Sequence, residues 1–175
     1  MLFRESFKGS KNLSKSVTAS RQDSPGSRFY GNIANMEKIT QLEDMQVMYV
    51  EILGPPPQSA PKAFARLEKI IPLQGNKFFG VYNRETNFYR ACVEIKPMEH
   101  NPKELGLPTG VIPGGLYAYE KLEGKYQDII KQIGPTFDSL AKSNNVDPSR
   151  PFIESYRRFN EFVLYVPVKA METAQ

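Results

Sequence analysis

The chain has 175 residues, 40% of them hydrophobic and 11% aromatic, enough for one domain with a core of its own. One cysteine, Cys92, and one histidine, His100, exclude an internal disulfide and a Cys/His zinc cluster, and no apolar run approaches the ~18 residues of a membrane helix. Of the 23 basic and 19 acidic side chains, six and two fall in residues 1–35, so residues 36–175 hold seventeen of each and give no electrostatic ground for a nucleic-acid partner.

Residues 1–35 are serine-rich, basic and poor in periodic apolar positions, and read as a disordered or targeting extension. They lack the apolar stretch of a secretory signal, and their composition fits either an organellar transit peptide or a translation start placed ahead of Met36. Otherwise a cytoplasmic protein is expected.

From residue 36 to 175 the pattern is one domain of alternating strands and helices. "MQVMYVEIL" (45–53) reads as a strand that "GPPP" ends, and 59–71 as a helix with Ser59 as its N-cap and Phe64, Leu67 and Ile71 on one face. Residues 77–83 and 88–96 form a hairpin around "RET". A proline- and glycine-rich connection containing a solvent-exposed His100 leads to a strand over 114–122. Two helical stretches follow, near 125–133 and 135–143, broken at Gly134-Pro135. The strands "FIESYRR" and "EFVLYVPVK" end the pattern.

The order is β-α-β-β followed by β-α-β-β, which points to an internal duplication. Tyr49 and Gly54 precede Tyr119 and Gly124 by 70 positions, and Phe64 and Leu67 precede Phe137 and Leu140 by 73. Tyr82 and Phe88 precede Tyr156 and Phe162 by 74. The expected fold is therefore α+β: two βαββ modules forming a concave antiparallel sheet, helices on one face, a ligand cleft between the halves.

Within "PSRPFIESYRR" (148–158), strand alternation puts Glu154 on one face with Phe152 and Tyr156. At the offset of 74 its counterpart is Gly80, in "FFGVY", so one half presents a carboxylate where the other presents no side chain. Glycine inside a strand often marks a close approach to the backbone. Opposed across a pseudo-twofold axis, the two would leave room for a ligand lined by Phe78, Tyr82, Phe152 and Tyr156. A carboxylate among aromatic rings suits an organic cation, which each ring attracts by roughly 0.5–2 kcal/mol. The plainer alternative is an ion pair of Glu154 with Arg90 or Arg157, or a place for it on a solvated face.

The segments "MQVMYVEILGP…AFARL", "FFGVYN…YRACVEI", "IPGGLYAYEKLEGKY" and "RPFIESY…EFVLYVPV" resemble the GyrI-like small-molecule-binding domain, the effector-binding module of AraC-type and multidrug-sensing regulators, over about residues 36–170. The Arg-Pro-x-x-Glu-x-Tyr strand is its most specific part. The resemblance implies two βαββ modules with a cleft between them, and for Glu154 the role of the central glutamate that meets cationic lipophilic compounds in drug-sensing members. Tyr156, Tyr82, Tyr119 and Phe152 are the pocket aromatics this suggests. No helix-turn-helix is expected in 35 polar residues, so a stand-alone binding protein is favoured over a transcription factor. Haem, bound by related SOUL-type proteins, is not expected, because His100 lies outside the pocket strands.

The leading expectation is therefore a protein that binds or sequesters amphipathic, cationic organic compounds through Glu154, Tyr156, Phe152, Tyr82, Phe78, Gly80 and Tyr119. The resemblance also implies an alternative, hydrolysis of strained electrophilic natural products, with Glu154 as general base and Tyr156 as donor. A gyrase-inhibitor-type protein interaction is the third. No cofactor, metal or membrane partner is expected. Cys92 reads as a small core residue, Tyr49, Tyr89 and Tyr165 as packing residues with hydroxyls at the sheet edge, and "IPGG" as a turn.

Overall fold

The computed structural model describes residues 38–170; the expectations for residues 1–35 and for a start at Met36 lie outside them. Eight antiparallel strands form one sheet: β1 (Ile39–Leu42), β2 (Met45–Leu53), β3 (Phe78–Asn83), β4 (Phe88–Glu94), β5 (Thr109–Ile112), β6 (Gly115–Glu123), β7 (Phe152–Arg158) and β8 (Glu161–Pro167). Their order is β1-β6-β8-β7-β3-β4-β2-β5. Helix α1 (Pro56–Leu67) follows β2, a single turn α2 (Pro102–Leu105) precedes β5, and α3 (Tyr126–Ser143) follows β6.

The α+β duplication is present and extends further than the sequence pattern. Each βαββ module, β2-α1-β3-β4 and β6-α3-β7-β8, is preceded by a four-residue strand, β1 or β5. Those leading strands are exchanged: β1 pairs with β6 of the second module, and β5 pairs with β2 of the first. The registers are equivalent at an offset of 70, since Thr40 faces Tyr117 as Gly110 faces Val47. The modules meet at β3 and β7, where Gly80 is the direct partner of Glu154. Residues equivalent by duplication thus face each other across the pseudo-twofold axis.

The sheet's two faces differ. On one lie Phe78, Gly80 and Tyr82, Tyr89 and Ala91, Phe152, Glu154 and Tyr156, and Phe162 and Leu164, which the pairing registers place side by side. Helices α1 and α3 cover this face. Phe64 of α1 packs edge-on against Tyr89 and Tyr156, while Ile129 of α3 joins Leu122, Phe162 and Leu164 in an apolar cluster. The helix-free face gathers Val47, Phe79, Cys92, Ile112, Tyr117, Ile153, Val163 and Tyr165 into one cluster. Those residues span strands from the second to the last position of the sheet, which a flat sheet with ~4.8 Å between strands would hold apart, so the sheet curls around this face. Cys92 is buried there, and burial pushes its thiol well above the ordinary range.

Three local expectations are corrected. The first helix starts at Pro56 rather than Ser59, because the proline ring fixes φ for a first helical position and its missing N–H is not needed there. Ser59 Oγ instead donates to the carbonyls of Gly54 and Pro55 at 2.9 and 2.8 Å. The two expected helices around Gly134-Pro135 are one: the proline removes a ladder hydrogen bond, but the stripe Ile129, Ile133, Phe137 runs across it onto the sheet. His100 is half-buried, its Nδ1 accepting from the Lys96 amide at 3.3 Å.

Candidate functional site

Glu154 sits on the central strand pair, on the helix-covered face, with 5% of its surface exposed. Neither cation proposed as its partner reaches it. Arg90 lies on the other face, paired with Glu51 at 2.5 Å and seated 4.4 Å over the Tyr49 ring, and Arg157 is exposed. The Glu154 carboxylate is held instead by two hydroxyls, both on Oε2: Tyr89 donates at 3.0 Å and Tyr156 donates through a short bond. The two hydroxyls stand 3.3 Å apart. Burial raises the Glu154 pKa above the ordinary carboxylate value, with the bonds from Tyr156 and Tyr89 pulling against it. Burial, compounded by the neighbouring carboxylate, pushes both phenols well above 10.

Tyr89 reaches Glu154 because Gly80 has no side chain. A methyl group there would collide with the Tyr89 hydroxyl and stand 2.8 Å from Glu154 Oε2. The gap expected opposite the carboxylate is therefore real, and a tyrosine of the same protein fills it. Tyr89 is fully buried and its hydroxyl lies at the middle of the sheet, not at its edge.

Rings continue outward from this centre. Phe64 meets Tyr156 with centroids 5.0 Å apart, Tyr156 meets Phe162 at 4.6 Å, Phe162 meets Tyr126 of α3 at 6.0 Å, and Tyr126 stacks on the exposed Phe159 at 5.0 Å. An aromatic path thus leads from the surface beside α3 to the buried carboxylate.

Of the residues expected at the site, Glu154, Tyr156, Phe78 and Gly80 come together at the β3–β7 junction. Phe152 and Tyr82 share that face but turn toward its margin. Phe152 packs on Phe137 at 5.2 Å with the Arg84 guanidinium 5.1 Å above it, and the Tyr82 hydroxyl donates to Asn87 Oδ1 at 2.9 Å. Tyr119 is not part of the group. It pairs with Tyr165 and packs into the helix-free face, because Ala118, one residue away, is the β6 position that points toward the helices. A cavity of about 670 Å³ opens on that opposite face, not beside Glu154, and is lined in part by Phe79, Ile112, Ile153 and Tyr165.

The role of Tyr89 is hidden in the sequence because the offset of 74 that relates Tyr82 to Tyr156 falls to 73 along β4 and β8. Tyr82 faces Tyr89, whereas Tyr156 faces Phe162, and a bulge between Tyr156 and Arg158 absorbs the missing residue of the second hairpin. The counterpart of Phe162 is therefore Tyr89, not Phe88. Sequence carried this signal only in the lengths of the two hairpin turns.

The comparisons agree with this architecture. Residues 37–169 match the model of the GyrI-like small molecule binding domain. The chain belongs to the GyrI-like family. No curated protein sequence matches it significantly. Among solved structures, an integron cassette protein from the mobile metagenome of Vibrio cholerae superposes with a TM-score of 0.60 at 15% identity, over 75% of this chain and 95% of its own. SAV2435, solved bound to tetraphenylphosphonium, superposes with a TM-score of 0.52 at 13% identity, over 79% and 96% of the two chains. A hydrolase from Listeria innocua aligns more distantly, with a TM-score of 0.44 at 11% identity over 75% and 90%. At these identities the likeness is one of fold. Membership of the GyrI-like family makes this a small-molecule-binding domain, and among the described residues no helix is long and apolar enough to cross a membrane.

Proposed function

We propose that this GyrI-like domain binds amphipathic organic cations between α1 and α3, with Glu154 as the neutralising charge and Tyr156, Tyr89, Phe64 and Phe162 as the aromatic wall. One observation carries the reading: a carboxylate buried at the centre of the sheet is held by two neutral hydroxyls and, among the described residues, by no guanidinium or ammonium. Such a group is costly to ionise alone, and a cation restores the balance. The rings around it add their own attraction for positive charge. The tetraphenylphosphonium bound to SAV2435, a protein of the same fold, supports the ligand class.

A second reading, hydrolysis with Glu154 as general base, draws support from the direction in which burial moves the carboxylate pKa, which is upward. The hydroxyls argue against it: both tyrosines already donate to Glu154, so neither is free to donate to an anion forming on a substrate. Binding is the better account.

Titration of the purified protein with tetraphenylphosphonium and with its anionic counterpart tetraphenylborate, followed by calorimetry, tests the proposal. The cation should bind, the anion should not, and Glu154→Gln should weaken the cation at least tenfold. Equal binding of both ions, or a Glu154→Gln variant with unchanged affinity, would sink it. A strained electrophile such as a cyclopropane-containing natural product, incubated and analysed by mass spectrometry, should come back without added water.

A further inference from the structure

We infer that Tyr89, admitted by the missing side chain at Gly80, is the positioning residue that sets the pH at which Glu154 captures a cation. This rests on the reading of Glu154 as the cation's partner. Three features of the geometry carry it.

First, the hydroxyl is placed at some cost to the fold. Tyr89 crosses the space above Gly80, where any Cβ would collide with it, and it does so from a fully buried position. The nearest atom to that missing Cβ is the Tyr89 hydroxyl itself, so the glycine makes room for the donor as well as for the ring. Phe64 holds the ring edge-on at 6.3 Å, so its aim at the carboxylate is fixed from the helix side as well.

Second, Tyr89 and Tyr156 both donate to Oε2, and Oε1 takes neither bond. The hydroxyls thereby favour the ionised carboxylate while leaving one oxygen for a ligand. Third, the donors are neutral. A lysine at position 89 would neutralise Glu154 permanently and exclude a cationic ligand, whereas a phenol whose own ionisation is pushed well above 10 keeps its proton across the physiological range.

The groups around Glu154 are few. Tyr89 comes from β4 and Tyr156 from β7, α1 contributes the uncharged Phe64, and α3 contributes Tyr126, which senses both Glu154 and Glu68. Leu164 of β8 and Gly80 of β3 flank it in the sheet, and Glu120, one strand beyond Leu164, is paired with Lys38 at 3.2 Å. Tyr89 is thus one of only two direct hydrogen-bond levers on the carboxylate among the described residues. Because cation binding needs the anion, the capture pH follows the Glu154 pKa, and loss of the Tyr89 hydroxyl must move it upward.

The test is Tyr89→Phe, which keeps the ring against Phe64 and deletes only the donor. The Glu154 carboxyl is titrated by ¹³C NMR in the ligand-free protein, and tetraphenylphosphonium affinity is measured from pH 5 to 10 in wild type and variant. The variant's carboxyl should titrate at higher pH. At pH values below both titrations its affinity should fall about tenfold for each pH unit of that shift, and above both it should recover to the wild-type value. Gly80→Ala should give the same displacement, and should add little in the Tyr89→Phe background. An unmoved Glu154 titration, or an affinity loss that is the same at every pH, would overturn the inference. Absence of tetraphenylphosphonium binding in wild type would instead overturn the proposed ligand class, and the NMR titration would still decide the role of Tyr89.

Discussion

At the scale of single residues, the molecule turns on an uncompensated charge. Glu154 holds its proton more tightly in the folded protein than in the unfolded chain. Between the ordinary carboxylate pKa and the raised one the native state therefore binds more protons, and stability falls as pH rises through that window, by at most about 1.4 kcal/mol per pH unit for one group. Urea unfolding of wild type and Glu154→Gln at half-unit steps from pH 4 upward should show that decline in the first and its absence in the second. Parallel curves would mean that burial does not hold the proton. The face carrying Glu154 was readable from strand alternation, because Phe152 and Tyr156 are spaced by two. Its partner Tyr89 was not, because a one-residue difference in hairpin length moves a side chain to the other face.

At the scale of elements, the Arg-Pro-x-x-Glu-x-Tyr segment does two separate things. Glu154 and Tyr156 build the site, while Arg150 ties strand ends together. Its guanidinium donates to the carbonyls of Gly114, Leu116 and Val168 at 2.9, 3.2 and 2.9 Å and pairs with Asp147 at 2.8 Å, while lying 4.9 Å over the Tyr117 ring. Ser149 and Arg150 together hold the Asp147 carboxyl at about 2. Gly115, the first residue of β6, makes room for the guanidinium, and Gly114 before it makes room for the backbone that joins β1 to β2. A side chain on Gly115, at φ +116°, would collide with the guanidinium, and one on Gly114 would come within 2.6 Å of the Leu42 carbonyl. Arg150→Lys supplies one charge where a planar fork makes four contacts, so it should destabilise by about 2–4 kcal/mol and leave the affinity of the folded protein for tetraphenylphosphonium unchanged. Chemical denaturation and calorimetry on the same sample separate the two. A variant as stable as wild type would show the clasp to be incidental. None of this was visible in the sequence, where "IPGG" reads as a plain turn. Likewise β1 and β5 are four residues each, too short for alternation to declare them, and only their pairing shows that they belong to the repeat.

At the scale of the whole molecule, the exchange of β1 and β5 interlocks the two repeats. Neither module owns its outer strand, so neither can complete its half of the sheet alone, and the central β3–β7 pairing adds a third link. Despite the duplication, scanning calorimetry should give one transition with equal calorimetric and van't Hoff enthalpies. Two resolved transitions would show that the halves unfold independently. The axis through Gly80 and Glu154 has a further consequence. Two identical half-length chains assembled as an isologous dimer would place the same residue on both sides of that axis. With glutamate at the position, two carboxylates would face each other across adjacent strands and could not both ionise; with glycine, there would be no charge at all. A lone carboxylate on a twofold axis is closed to two identical chains, and fusion of the halves into one chain left them free to diverge there.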